Sequence, residues 1–135
     1  KDYEMEVSSM LESVGKLNYA IVLCDDIDRM KAFYRQFFPF PVVSETETSL
    51  ALGAGHVLLA LRKRERSYDG RGGGAASPGV QLAFLVLPDE VDVCHQRLAE
   101  RGVEILEPPT DQARGHRTVY FSDPEGNILE VYAEI

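Results

Sequence analysis

Tryptophan is absent from the 135-residue chain and cysteine occurs only twice. Two thiols cannot supply the disulfide framework of a small secreted domain. Cys24, in an apolar run, and Cys94, in a helical pattern, read as small buried thiols. CxxC, HExxH and closely spaced histidine pairs are also missing, and His56, His95 and His116 are scattered. Local spacing therefore yields no zinc site, and any metal centre would have to be assembled by the fold. No apolar run approaches the ~20 residues of a membrane span, and no basic-then-apolar leader opens the chain. Neither a membrane partner nor an exported protein is expected, which leaves the cytoplasm as the expected location. Positive charge is scarce as well: 14 Lys and Arg stand against 22 Asp and Glu, a net charge of −8. Nucleic-acid phosphates need neutralising by basic residues, so no nucleic-acid partner is expected. The same charge permits a cationic small molecule.

What is present is an ordinary globular composition, 44% apolar and 27% charged, in a length typical of one domain. At the start, Tyr3, Val7, Met10, Leu11 and Val14 fall on one helical stripe, so residues 1–16 read as an amphipathic helix or extension stopped by Gly15. Residues 17–24 (LNYAIVLC) form an apolar run typical of a buried strand. Asp26 then caps a helix whose inner side carries Ile27, Met30, Phe33, Tyr34 and Phe37, ended by Pro39 and Pro41. Strands are expected at 40–45, 48–52 and 56–62. Residues 63–79 change character, becoming basic and then rich in Gly, Ala, Ser and Pro, as a linker would. The GRGGG inside it is not a phosphate loop, since no strand feeds it and no helix follows. Then come a strand at 80–87, a helix at 88–101, a strand at 103–106 broken by Pro108 and Pro109, and strands at 117–122 and 127–133 joined by the turn DPEG.

The chain thus carries β-α-β-β-β twice, module one at 17–62 and module two at 80–135, within one domain spanning 17–135. An offset of 62 sets LNYAIVLC against VQLAFLVL, with Tyr19 over Gln81. Aligning GHVLLAL with GNILEVY by their glycines sets Leu59 over Glu130. The expected class is α+β, two paired modules whose curved mixed sheets form a cup with the helices outside. The strand period of two sends Tyr19, Ile21 and Leu23 to one face. Gln81 and Ala83 share a face, as do Ile128, Glu130 and Tyr132. A carboxylate within ILEVY would be costly against a packed helix, so Glu130 marks the cup side.

The paired plan, the DDIDRMKAFY after the first strand and the terminal YFSDPEGNILEVY resemble the vicinal oxygen chelate superfamily, which includes glyoxalase I, bleomycin-resistance proteins and extradiol dioxygenases. The resemblance covers residues 17–135. It implies metal-ligand positions near the start of each module's first strand and in each module's last strand. Those positions fall on Tyr19, Gln81, Leu59 and Glu130, of which only Glu130 is a usual ligand. One carboxylate, an amide, a phenol and an alkyl group are a poor donor set for a divalent ion, so neither a metal nor another cofactor is expected. The first reading is metal-independent binding of a small, antibiotic-like and cationic molecule in a cup lined by Tyr19, Ile21, Leu59, Gln81, His116, Tyr120, Glu130 and Tyr132, with Thr118 beside them. Tyr34, Phe37 and Phe38 border its mouth or belong to the core. The alternative is a glyoxalase-like lyase or isomerase, or a dioxygenase-related enzyme, with Glu130 as the candidate catalytic base and Arg117 or His116 as electrophile. A third reading makes the domain a regulatory or interaction module with a vestigial cup, supported by the helix at 1–16 and the long 63–79 segment. The resemblance also implies a homodimer, swapped or unswapped across the linker.

Overall fold

The computed structural model describes residues 10–72 and 78–135. Their order is β1 (Tyr19–Cys24), α1 (Ile27–Phe37), β2 (Val42–Thr46), β3 (Ser49–Ala54), β4 (Val57–Lys63), β5 (Gln81–Leu85), α2 (Glu90–Glu100), β6 (Ile105–Asp111), β7 (His116–Ser122) and β8 (Ile128–Glu134). Each half builds its own four-stranded mixed sheet, ordered β1-β4-β3-β2 and β5-β8-β7-β6. In both, the first strand runs parallel to the last while the remaining pairs are antiparallel.

Helix α1 begins where an acceptor is available: Asp26 takes the backbone N–H of Arg29 at 3.1 Å, satisfying one of the donors a helix start leaves free. Its stripe buries Ile27, Met30, Phe33 and Tyr34. These join Val22, Leu50, Leu59 and Leu61 of the first sheet and Val119, Phe121, Leu129 and Val131 of the second in one core. Phe37 and Phe38 pack against this core, and Phe38 meets Phe84 of β5 with ring centroids 4.5 Å apart. The aromatic residues at the end of α1 are therefore interior packing.

The turn between β7 and β8 ties the halves together. Glu125 accepts the backbone N–H of Asp25 at 2.9 Å and of Asp26 at 2.7 Å, a second, charged cap on α1 supplied by the other module. Buried Asp123 accepts from Tyr34 Oη at 2.8 Å. Burial and that carboxylate push the Tyr34 phenol well above its ordinary range.

Three expectations change. Residues 1–9 of the amphipathic helix lie outside the described residues; the part described is a turn closed by Val14 N–H on Leu11, with Met10, Leu11 and Val14 exposed. Pro108 and Pro109 do not stop β6, because it is the outer strand of its sheet and takes them at a register shift between Glu107 and Thr110. The linker starts as a built turn: Asp69 pairs with Arg62 through two 2.9 Å contacts and accepts the N–H of Glu65 and Arg66, while 73–77 lie outside the described residues. Arg62, with those amides, holds the Asp69 carboxyl well below the usual range. Among the described residues no helix is long and apolar enough to cross a membrane.

Replacing Glu125 by Ala should lower stability by about 1–2 kcal/mol, a fall in Tm of roughly 3–8 °C, with Glu125→Gln losing less because one oxygen acceptor survives. Because the Asp69 pKa is depressed by folding, its contribution is full above the unfolded value of about 4 and fades as pH falls toward the folded one. Urea midpoints of wild type and Asp69→Asn should therefore differ most at neutral pH and converge in strong acid.

Candidate functional site

Each sheet has one face against the helices and one turned away. On the second sheet, Leu129, Val131 and Ala133 point to the core. The register places Gln81 beside Ile128, Ala83 beside Glu130, Tyr120 across from Glu130 and Thr118 across from Tyr132, so all of these share the face turned from the helices. His116 belongs to it as well, its ring 4.7 Å from that of Tyr132. Five of the sequence-derived candidates, Gln81, His116, Tyr120, Glu130 and Tyr132, thus meet on one surface.

Glu130 sits at its centre, only 6% exposed. A buried carboxylate needs partners, and it has two: Gln81 Nε2 donates to Oε1 at 3.3 Å, and an Arg114 guanidinium nitrogen lies 4.0 Å from Oε2. Arg114 also donates to Tyr120 Oη at 2.9 Å. Next to it, Gln112 donates to buried Thr118 Oγ1 at 2.9 Å and to Glu107 at 3.3 Å. Both long side chains come from the β6–β7 turn and fold back over the sheet. That turn is closed by Gly115 N–H on the Gln112 carbonyl, with Gly115 at φ +93°, where a residue with a Cβ is strained. Sequence reasoning missed both residues, since a turn has no periodicity to reveal which way its side chains fall.

Tyr19 and Ile21 occupy the corresponding open face of the first sheet, 45% and 51% exposed. Beside them in β4 stand Leu58 and Ala60, not Leu59. Leu59 pairs with Ala20, points to the helix side and is 3% exposed, so it lines no open face. The cause is the turn length. Ala54 and Val57 close a two-residue turn, while Ser122 and Ile128 close one of five residues. Aligning the glycines of the two turns shifts the strands by one, and a shift of one exchanges faces. Since Ile21 pairs with Ala60 as Ala83 pairs with Glu130, Ala60 is the counterpart of Glu130. Arg117 also leaves the candidate site: it lies on the helix side, paired with Asp92 at 2.8 Å and Asp111 at 2.9 Å.

A cleft of about 460 Å³ opens on the helix side, lined by Phe37, Phe38, Cys94, Arg97, Leu98 and Arg101 among others. It holds none of the Glu130 cluster. The thiols offer little nucleophilicity: burial, reinforced by nearby Glu125, pushes Cys24 up to about 12, and burial also raises Cys94.

The profile of the Glyoxalase/Bleomycin resistance protein/Dioxygenase superfamily matches residues 16–131. The metallothiol transferase FosB of Staphylococcus saprophyticus is 24% identical over 123 residues, spanning 91% of this chain and 78% of that protein. YwkD of Bacillus subtilis is 28% identical over 129 residues, 87% and 96% of the two chains. A glyoxalase/bleomycin resistance protein/dioxygenase from Nocardioides superposes with a TM-score of 0.79 at 23% identity, covering 98% of this chain and 90% of its own. Lactoylglutathione lyase from Agrobacterium tumefaciens gives 0.70 at 23% identity, covering 89% and 94%. At these identities the structural likeness is one of fold.

The register makes a direct prediction. Leu59→Ala should cost about 2–5 kcal/mol by leaving a core cavity, whereas Ala60→Ser on the open face should stay within about 0.5 kcal/mol, as read from urea unfolding.

Proposed function

This chain belongs to the Glyoxalase/Bleomycin resistance protein/Dioxygenase superfamily, and from that premise we propose that it binds a small organic molecule on the open face of its second sheet without recruiting a divalent ion. The observation that carries the reading is the partnership of Glu130. Its two oxygens face an amide donor and a guanidinium. A divalent ion needs several oxygen or imidazole donors to offset dehydration, yet the repeat counterpart of Glu130 is Ala60, a methyl group. Arg114, 4.0 Å away, would repel a second cation. The residues present do not fit a metal, so the metal-dependent chemistry that the name of the relative FosB implies is not carried over.

The surroundings suit recognition. Tyr120, Tyr132 and His116 give aromatic walls, Ala83 and Leu85 an apolar floor, and Gln81 and Gln112 placed polar atoms, the mixture typical of small-molecule sites. Arg114 offsets the negative charge of Glu130 at short range, so the carboxylate by itself does not select a cationic ligand. The exposed apolar residues Ile21 (51%), Leu85 (63%) and Leu87 (71%) support a second copy covering this side of the molecule, the homodimer we propose with it.

A thermal-shift screen of cationic antibiotics, 2-oxoaldehyde adducts and acyl thioesters tests the proposal. At a concentration 100 times its Kd, a true ligand adds about 2.7 kcal/mol. The expected result is a rise in Tm that persists in EDTA and is lost in both Glu130→Gln and Tyr132→Ala. Stoichiometric uptake of zinc, nickel or manganese by the wild type, abolished in Glu130→Ala, would overturn it.

A further inference from the structure

Among the groups clustered on the open face of the second sheet, accessibility divides them sharply. Glu130, though charged, has a side chain only 8% exposed, and its oxygens already face Gln81 and Arg114. Thr118 is fully buried and bonded to Gln112. The Arg114 side chain is 52% exposed. A guanidinium carries five N–H donors, and Arg114 commits one nitrogen, Nη2, which donates to Tyr120 Oη at 2.9 Å and lies 4.0 Å from Glu130 Oε2. What this face offers an incoming molecule is therefore a fork of donors above an aromatic surface, with the carboxylate of Glu130 largely buried.

The arrangement also holds that fork in place. Tyr120 and Glu130 are paired across β7 and β8, so they present their oxygens side by side to one guanidinium. The short closed turn with Gly115 at positive φ fixes where Arg114 departs from the backbone. An arginine anchored through one nitrogen loses less freedom on binding than a free one.

Building on the ligand-binding reading above, we propose that Arg114 is the residue through which this face recognises its ligand, and that the ligand carries an oxygen acceptor on a trigonal carbon, a carboxylate or carbonyl, attached to an aromatic or aliphatic body. The planar fork matches the in-plane lone pairs of such a group, and the body lies on Tyr120 and Tyr132. Glu130 acts through Arg114 as a positioning residue.

Three probes of nearly equal shape separate the possibilities: benzoate, benzamide and benzamidine, added at millimolar concentration to the ¹⁵N-labelled full chain and followed by amide and arginine Nε–Hε resonances. Benzoate and benzamide are expected to shift Arg114 and the amides of Tyr120 and Glu130, and benzamidine, which has no acceptor, is not. Arg114→Met should weaken both by about tenfold or more, the worth of a charge-assisted hydrogen bond, with Arg114→Lys in between. Arg114→Lys, which keeps a cation beside Glu130, should hold the wild-type Tm within about 2 °C, while Arg114→Met, which leaves that buried carboxylate without one, should lower it. Preferential binding of benzamidine, unaltered by Arg114→Met, would overturn the assignment while leaving the ligand site standing. Failure of benzoate and benzamide to bind would overturn it too. If, in that case, hits from the thermal-shift screen depended on Glu130 but not on Arg114, only the assignment would fall. If no hits arose at all, the underlying reading would fall with it.

Discussion

One carboxylate organises the molecule, that of Asp123 in the turn between β7 and β8. It is 3% exposed and accepts from the backbone N–H of Glu125 (2.9 Å) and Asn127 (3.0 Å), from Asn127 Nδ2 (2.9 Å) and from Tyr34 Oη (2.8 Å). A buried ionised group is tolerable only when its lone pairs are filled in this way. Filling them sets the turn at five residues, with Gly126 taking a φ of +82°. The turn in turn sets the register of β8, and the register decides that Glu130 faces away from the helices. The same loop carries Glu125 to the start of α1. The polar chemistry that fastens the first module to the second therefore also aims the central residue of the candidate site.

The first module shows what happens without that carboxylate. Its equivalent turn has two residues, with Gly55 at φ +77°. β4 therefore runs one position out of step with a glycine-matched repeat, and Leu59 moves to the core while Ala60 moves to the open face. The period of two was legible in both strands, as was the repeat itself, because each follows from side-chain pattern. Turn length was not legible, since GAGH and SDPEGN both contain a glycine and nothing in composition says how many residues each turn consumes. An error of a single residue was enough to misassign a face.

Other features divide along the same line. The Asp26 cap, the inner stripe of α1 and the outward aim of Glu130 rest on interactions within about four residues or on strand alternation, and they could be read directly. Asp69 could not, because it lies with Glu65 and Arg66 in a stretch whose composition resembles a linker, and its third partner, Arg62, belongs to the strand before it. Nor could Gln112 and Arg114, whose roles depend on a turn folding its side chains back over a sheet. Pro108 and Pro109 read as a strand end because proline lacks an N–H. That penalty applies only where the missing donor faces a neighbour, and β6 has a neighbour on one side only.

The two modules have thus diverged in opposite directions from one plan. The open face of the first is apolar along Tyr19, Ile21, Leu58 and Ala60. That of the second carries polar contacts: Gln81 donates to Glu130, Arg114 donates to Tyr120 and lies 4.0 Å from Glu130, and Gln112 donates to Thr118. In a symmetric arrangement with donors from both sheets, a carboxylate such as Glu130 would be half of a cation site, and its charge would be neutralised by what it holds. Here a positive charge comes instead from the same module, in the guanidinium of Arg114 from the β6–β7 turn, 4.0 Å from the carboxylate. A permanent, covalently attached cation has consequences a bound ion does not: it cannot be chelated away, and it brings directional donors. The charge this face exposes is accordingly that of the arginine.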